Sequence, residues 1–415
     1  MSPPRHQHVR ELARGGMGRV DVVATMVNGT LELHALKRLL PTLREDPKAR
    51  RMFLDEAAVA TALDHPNVVR ALEVGEDDEG PLLLMELVQG VSLGTLLARS
   101  AGDLMPVEVA LEIVRQATAG LAAAHRQGLV HRDVSPANLL LGFDGVVRIA
   151  DFGIAKGPES STHTTTNVLK GKLGYLAPEQ LRFEPADPRT DLYSLGVCLY
   201  EALVGQRMHL GDSAAIARAI ADEPPPDVGE HRRDVPPALA ALLFDLLAKE
   251  RDARPTDADA LKARLDELPP STSADLATHL GEVLAEEVER QGRWREDAAR
   301  IVAAAPERPQ SNPMRWAPLL LAFALVGVGL ALALGPAAEA PPAADPIIAP
   351  PLAQPTPAAD PPMAVPEPAE TEPEAESEPG PVRRRARRRP RRSERMQPAT
   401  MAAAEMDVDT WSWDE

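Results

Sequence analysis

The sequence predicts an α+β protein of two unequal lobes, a small β-rich one and then a larger helical one. A single transmembrane helix and a disordered tail follow them. Three observations carry this expectation. Residues 9–90 alternate short apolar runs with turn signals. From about 103 to 267 the segments are Ala/Leu-rich with helical spacing. Proline, at 41 of 415 residues, has roughly twice its usual share, and most of the excess falls after residue 335.

The clearest part of the small lobe is "VDVVATMVNGTLELHALKRL", two strands joined at Asn28-Gly29. Both central residues of such a hairpin turn need positive φ, which Asn and Gly tolerate. "ARRMFLDEAAVATALDHPN" then has helical spacing and ends before Pro66. Beyond the helical lobe, residues 268–315 form a juxtamembrane linker. Its polar helix places Leu276, Leu280, Val283, Leu284 and Val288 on one face. That face reads as a spacer helix or as a seam for a homodimer. Residues 316–335, "WAPLLLAFALVGVGLALALG", carry no charge. At ~1.5 Å per residue the run is long enough for the ~30 Å hydrocarbon core, and no further domain follows that could bury it instead. Residues 336–415 begin as a Pro/Ala/Glu-rich stalk that cannot build a core. The stalk leads to nine arginines between 383 and 395.

The formal charge of −17 argues against a nucleic-acid-binding body. A lone cysteine, Cys198, excludes an intramolecular disulfide and fits a reducing compartment. The N-terminal "MSPPRHQHV" lacks the apolar core of a signal peptide.

Five separated motifs carry chemistry. "LARGGMGRV", from Leu12 through Ala13, Arg14, Gly15, Gly16, Met17, Gly18 and Arg19 to Val20, is glycine-rich. Such a turn lets backbone close over phosphates where side chains would block the approach. "HALK" sets Lys37 on a strand, 19 residues after Gly18, and "FLDEAAVA" sets Glu56 on the following helix. "HRDVSPANLL" holds Asp133 and, five residues on, Asn138. "DFG" places Asp151 at a tight glycine turn, where a carboxylate suits a hard cation. "APE" at 177–179 closes the segment that begins there.

In order and spacing these motifs resemble bacterial eukaryotic-like (Hanks-type) serine/threonine protein kinases, over residues 9–267. The resemblance implies a bilobal kinase fold, ATP and Mg2+ (or Mn2+) as cofactors, and protein substrates bearing Ser or Thr. Lys37 would contact the α/β-phosphates and pair with Glu56. Asp133 would orient the substrate hydroxyl and take its proton, while Asn138 and Asp151 would hold the metal. Met85 would be the gatekeeper, and the backbones of Glu86 and Val88 would bind the adenine edge. Val20, Ala35 and Leu140 would sandwich the ring. Glu179 would pair with Arg254, and Asp191 would brace the catalytic loop.

Two positions depart from the pattern. Ser135 stands where the family has a lysine, and Lys172, in "GKLGY", stands where it has a threonine. Because the family fold brings these positions together, the pair reads as an exchange that keeps one cation and one hydroxyl beside Asp133. The other reading is two unrelated substitutions, with Lys172 facing solvent. The expected function is therefore a membrane-anchored kinase that phosphorylates its own loop at "SSTHTTT", 160–166, opposite Arg132. A catalytically weak ATP-binding scaffold is the alternative. The expected location is a bacterial inner membrane, with the kinase cytoplasmic and the tail outside. That tail would contact anionic envelope polymers or lipids, and no nucleic acid is expected.

Overall fold

The computed structural model describes residues 6–100, 103–152 and 172–304. The predicted span at 316–335, the stalk and the loop at 160–166 lie outside these residues. Among the described residues no helix is long and apolar enough to cross a membrane.

The small lobe opens with strands β1 (Gln7–Arg14), β2 (Gly18–Val27) and β3 (Thr30–Leu39). Helix α1 (Pro47–Ala62), β4 (Ala71–Asp77) and β5 (Gly80–Glu86) follow. The strands form one antiparallel sheet in the order β1-β2-β3-β5-β4. The Asn28-Gly29 hairpin is as predicted: φ is 51° at Asn28 and 83° at Gly29, and Val27 pairs with Thr30. The Asp46 carboxylate caps α1 by accepting the Lys48 and Ala49 N–H groups. Phe53 and Ala57 then bury one face of α1 against Leu39 and Leu83.

A second antiparallel sheet joins β6 (Gly90–Ser92), β7 (Leu139–Gly142) and β8 (Val147–Ile149). Around it the large lobe is helical. Its elements are α2 (Leu93–Arg99), α3 (Val107–His125), α4 (Pro178–Leu181), α5 (Pro188–Val204), α6 (Ser213–Asp222), α7 (Val228–His231), α8 (Pro237–Leu246) and α9 (Ala258–Asp266). Helices α3 and α5 form its centre, and Leu111, Ile113, Leu121, Leu192 and Leu195 are almost fully buried. The segment after α1 belongs to this lobe rather than to the sheet before it. The Asn67 amide donates to the Val147 carbonyl at 2.9 Å, and the Ile149 N–H donates to the Asn67 carbonyl at 2.9 Å.

The predicted linker is helical over residues 273–304, but it is not a free spacer. It folds as α10 (Ser273–Val283), α11 (Ala285–Gly292) and α12 (Trp294–Ala304) and packs back on the kinase body. Leu276, Leu280 and Leu284 join the large-lobe core, whereas Val283 and Val288 stay exposed. The helix ends at Leu284, where φ −121° and ψ 31° break the phase, so the predicted five-residue face is split.

Candidate active site

The glycine-rich turn is built by local geometry. The Gly15 N–H donates to the Gly18 carbonyl at 2.8 Å, closing the connection between β1 and β2. Gly18 must lack a side chain, because a Cβ there would lie 2.8 Å from the Arg38 carbonyl of β3. Gly16 meets nothing within 4 Å, so its backbone is open to a ligand. Leu12 and Met17 are exposed on this turn, and Ala13 pairs with Val20 across it. Arg14 and Arg19 are held by Glu11 and Asp21 at 2.7 and 2.8 Å.

Lys37 is carried by β3, opposite Val20 on β2 and Leu83 on β5. Its Nζ donates to Glu56 Oε1 at 2.6 Å and to Asp151 Oδ1 at 2.7 Å. An ammonium has three N–H donors, so one remains for a phosphate oxygen. Burial opposes the lysine charge, but Asp151 and then Glu56 outweigh it and raise its pKa. The Lys37 charge, against the opposing effect of burial, pulls Asp151 down to about 2. Burial leaves the Glu56 carboxyl above its usual range despite the lysine beside it.

The catalytic loop is fixed from below. Asp191, fully buried in the first turn of α5, accepts the His131 N–H at 2.8 Å and the Arg132 N–H at 2.7 Å. It also bonds the His125 Nε2 at 2.8 Å, a partner with no motif to announce it. These bonds hold Arg132 at φ 65°, a left-handed conformation that a long side chain seldom adopts. Asp151 likewise sits at φ 52°. The Glu179–Arg254 pair closes at 2.8 and 3.0 Å with both side chains at 0% exposure.

Around Asp133 the groups converge. Asn138 Nδ2 donates to the Asp133 carbonyl at 2.8 Å and to Oδ2 at 3.2 Å. Lys172 Nζ donates to the same Oδ2 at 2.8 Å. Lys172 is therefore not an isolated surface charge, and its field also lowers the Asp151 pKa. Ser135 is buried, and its Oγ has no partner among the described residues.

A divalent cation fits these donors. With both Asn138 Nδ2 bonds turned to Asp133, the amide oxygen is the end left for a cation, and Asp151 is ionised at any physiological pH. Among the described residues no cluster of three or more His, Cys, Asp or Glu could cage a metal. Two protein oxygens completed by water and phosphate is a coordination that suits Mg2+.

The positions expected to line the purine come from β2, β3, β5 and β7. Ala35 pairs with Met85 across β3 and β5, and Val20 lies one strand further on β2. Leu139 and Leu141 point into the large-lobe core, so the alternation of β7 turns Leu140 to the other face. The Glu86 N–H donates to the Arg70 carbonyl at 3.0 Å, which fixes the end of β5. Val88 lies two residues further along, half-buried in the connection from β5 to β6.

Such a cleft, with a glycine turn, a lysine tied to two carboxylates and an Asp/Asn loop, defines a nucleotide-dependent phosphotransferase. Comparison with known proteins places it more closely. The protein kinase domain model matches residues 6–265, and the chain belongs to that family. It is 38% identical over 277 residues to the tyrosine-protein kinase MasK of Myxococcus xanthus, covering 62% of this chain and 43% of that protein. It is 34% identical over 272 residues to the probable serine/threonine-protein kinase PknB of Lactococcus lactis, covering 65% and 42%. With the serine/threonine-protein kinase PknL of Mycobacterium tuberculosis it shares 38% over 233 residues, covering 56% and 58%. The match thus spans about half the length of these curated relatives. The crystal structure of the Mycobacterium tuberculosis PknI kinase domain superposes with a TM-score of 0.50 at 28% identity, covering 64% of this chain and 97% of that one.

Proposed function

We propose that the chain is a serine/threonine protein kinase, transferring the γ-phosphoryl group of Mg–ATP to Ser and Thr hydroxyls of proteins. Its kinase domain would be held at the cytoplasmic face of a membrane by residues 316–335. The observation that carries this is the meeting of two charged sets: Glu56–Lys37–Asp151 for nucleotide and metal, and Asn138–Asp133–Lys172 for the acceptor. Mg2+ would bridge the phosphates and neutralise their charge when bound.

The chain's own groups do the rest. Lys37 holds the phosphates in position, and Gly15 and Gly16 give them a backbone cover. Asp133 orients the acceptor hydroxyl and takes its proton as the oxygen bonds to phosphorus and ADP departs. Lys172, on the same carboxylate oxygen, supplies a fixed cation beside the transferring group. Ser/Thr acceptors are favoured by "DVSPAN", which resembles the serine/threonine loop and lacks the arginine that tyrosine kinases carry before the asparagine.

Phosphoamino-acid analysis of the full chain incubated with Mg–ATP and a mixed protein substrate tests this reading. Phosphoserine and phosphothreonine are expected, and phosphotyrosine as the main product would overturn the assignment. Asp133→Asn and Lys37→Met should each reduce transfer by orders of magnitude with the circular dichroism unchanged. Near-normal rates in both would refute the catalytic assignment of these two residues.

A further inference from the structure

Residues 273–304 touch three parts of the kinase in turn. The first contact is with the large lobe. Ser271 and Ser273 bond Glu112, Arg115 and Gln116 of α3, and a Cβ on Gly145 would lie 2.0 Å from the Ser273 carbonyl. Leu276, Leu280 and Leu284 then sink into the large-lobe core.

The second contact is with the strand that follows the adenine-binding connection. Gly90 opens β6, an edge strand, so its N–H and C=O lack a strand partner on the outer side. Gln291 supplies one. Its Oε1 accepts the Gly90 N–H at 3.0 Å, and its Nε2 donates to the Gly90 carbonyl at 2.8 Å. The amide thus completes the edge as another strand would. Gln291 is 4% exposed, and Glu287 Oε1 accepts its Nε2 at 2.7 Å, which fixes the orientation. Gly90 lies so close to β7 that it tolerates no side chain, since a Cβ there would meet the Leu141 carbonyl at 2.0 Å.

The third contact is with the small lobe. Helix α12 packs on β1, β2 and β3, where Trp294 is 3% exposed and the Arg10 guanidinium lies 5.3 Å from its ring centroid. One short stretch of chain therefore ties the large lobe, the connection at Gly90 and the small-lobe sheet together.

We infer that residues 273–304 are an interlobe clasp, in which Gln291 is a positioning residue for the adenine-binding connection and Trp294 anchors the small lobe. The inference rests on the nucleotide site proposed above. The nucleotide binds between the lobes, so a clasp that fixes their relative orientation pre-organises its site. Releasing the clasp lowers nucleotide affinity and leaves the groups that perform transfer untouched.

The test uses the full chain. Gln291→Ala removes both bonds to Gly90 and should raise KM for ATP about tenfold while kcat stays within twofold. Gln291→Glu keeps the acceptor but sets a carboxylate against the Gly90 carbonyl and Glu287, and should be at least as weak as alanine. A role in packing alone would leave glutamate close to wild type. Trp294→Ala should raise KM in the same way. Unchanged KM in folded Gln291→Ala would overturn the clasp.

A measurement on the unaltered chain covers variants that fail to fold. Coupling is reciprocal, so Mg–ADP must slow hydrogen exchange in 285–304 as well as around Gly90. Nucleotide binding without that protection overturns the clasp and leaves the kinase reading standing. Binding and protection without phosphoryl transfer does the opposite. No binding at all overturns both.

Discussion

Lys172 Nζ donates to Asp133 Oδ2 at 2.8 Å, whereas Ser135, in the catalytic loop itself, is buried with its Oγ unpartnered among the described residues. The cation beside Asp133 thus arrives from the "GKLGY" segment and not from the loop that carries Asp133. Lys172→Thr should lower kcat about 100-fold, the order expected for removing one preorganised charge. Ser135→Lys combined with Lys172→Thr should recover part of that loss. A double-mutant cycle measures the coupling, and additive losses would show two independent sites.

Glu201 makes stability fall with pH. Burial, against the Tyr175 hydroxyl and the Met208 N–H that it accepts at 2.7 and 3.2 Å, pushes its carboxyl up to about 7. The unfolded chain releases this proton near pH ~4.3. Between those values the folded state binds more protons, so stability declines as pH rises through the window. Glu201→Gln removes the penalty and should add on the order of 1–3 kcal/mol at pH 8 and almost nothing near pH 4.5. Urea unfolding at the two pH values checks it, and a gain independent of pH would contradict the assignment.

Autophosphorylation should fall within residues 160–166. The sequence there offers two serines and four threonines, and Arg132 precedes Asp133 with its Nε buried and unpartnered among the described residues. A phosphothreonine would give that guanidinium charge-assisted bonds. Mass spectrometry of chain incubated with Mg–ATP should find the modification, and Arg132→Ala should reduce the activation that follows it. An active chain with no phosphate in this stretch would rule the mechanism out.

Membrane topology is testable at the C-terminus. Arg300, Arg308 and Arg315 precede the apolar run, and Glu339 and Asp345 follow it, which favours a cytoplasmic kinase. The nine arginines begin nearly 50 residues beyond the run, outside the ~15–20-residue window in which charge biases insertion. An alkaline phosphatase fusion at the C-terminus should be active, and the exported arginines should give salt-sensitive binding to anionic vesicles. A fluorescent cytoplasmic fusion would reverse this topology.

Where chemistry restricts the residue type, the sequence was readable. Gly18 tolerates no side chain, Asn28-Gly29 demands positive φ, and Lys37 and Glu56 meet because one strand and one helix present them in register. Helical periodicity found Leu276, Leu280 and Leu284, yet it carried Val283 and Val288 along, because a break at Leu284 leaves no mark in composition. Gln291 was invisible for a different reason. Its partner is the backbone of Gly90, about 200 residues away, and a bond to backbone requires no particular side chain at the other end. His125 escaped likewise, because its link to Asp191 depends on how α3 and α5 cross.

The attachment of Asn67 to β8 has a mechanical consequence. Apart from the clasp, the small lobe meets the large one at two places, the stretch near Asn67 and the stretch near Gly90, and each is pinned through its own backbone groups. Two fixed points define a line, so the easiest rigid motion between the lobes is rotation about that line. Helix α1 ends at Ala62, just before the Asn67 pivot, and the Lys37–Glu56 distance becomes a readout of twist rather than of separation. Helix α12 grips the sheet itself, at β1, β2 and β3, and so acts directly against that single degree of freedom.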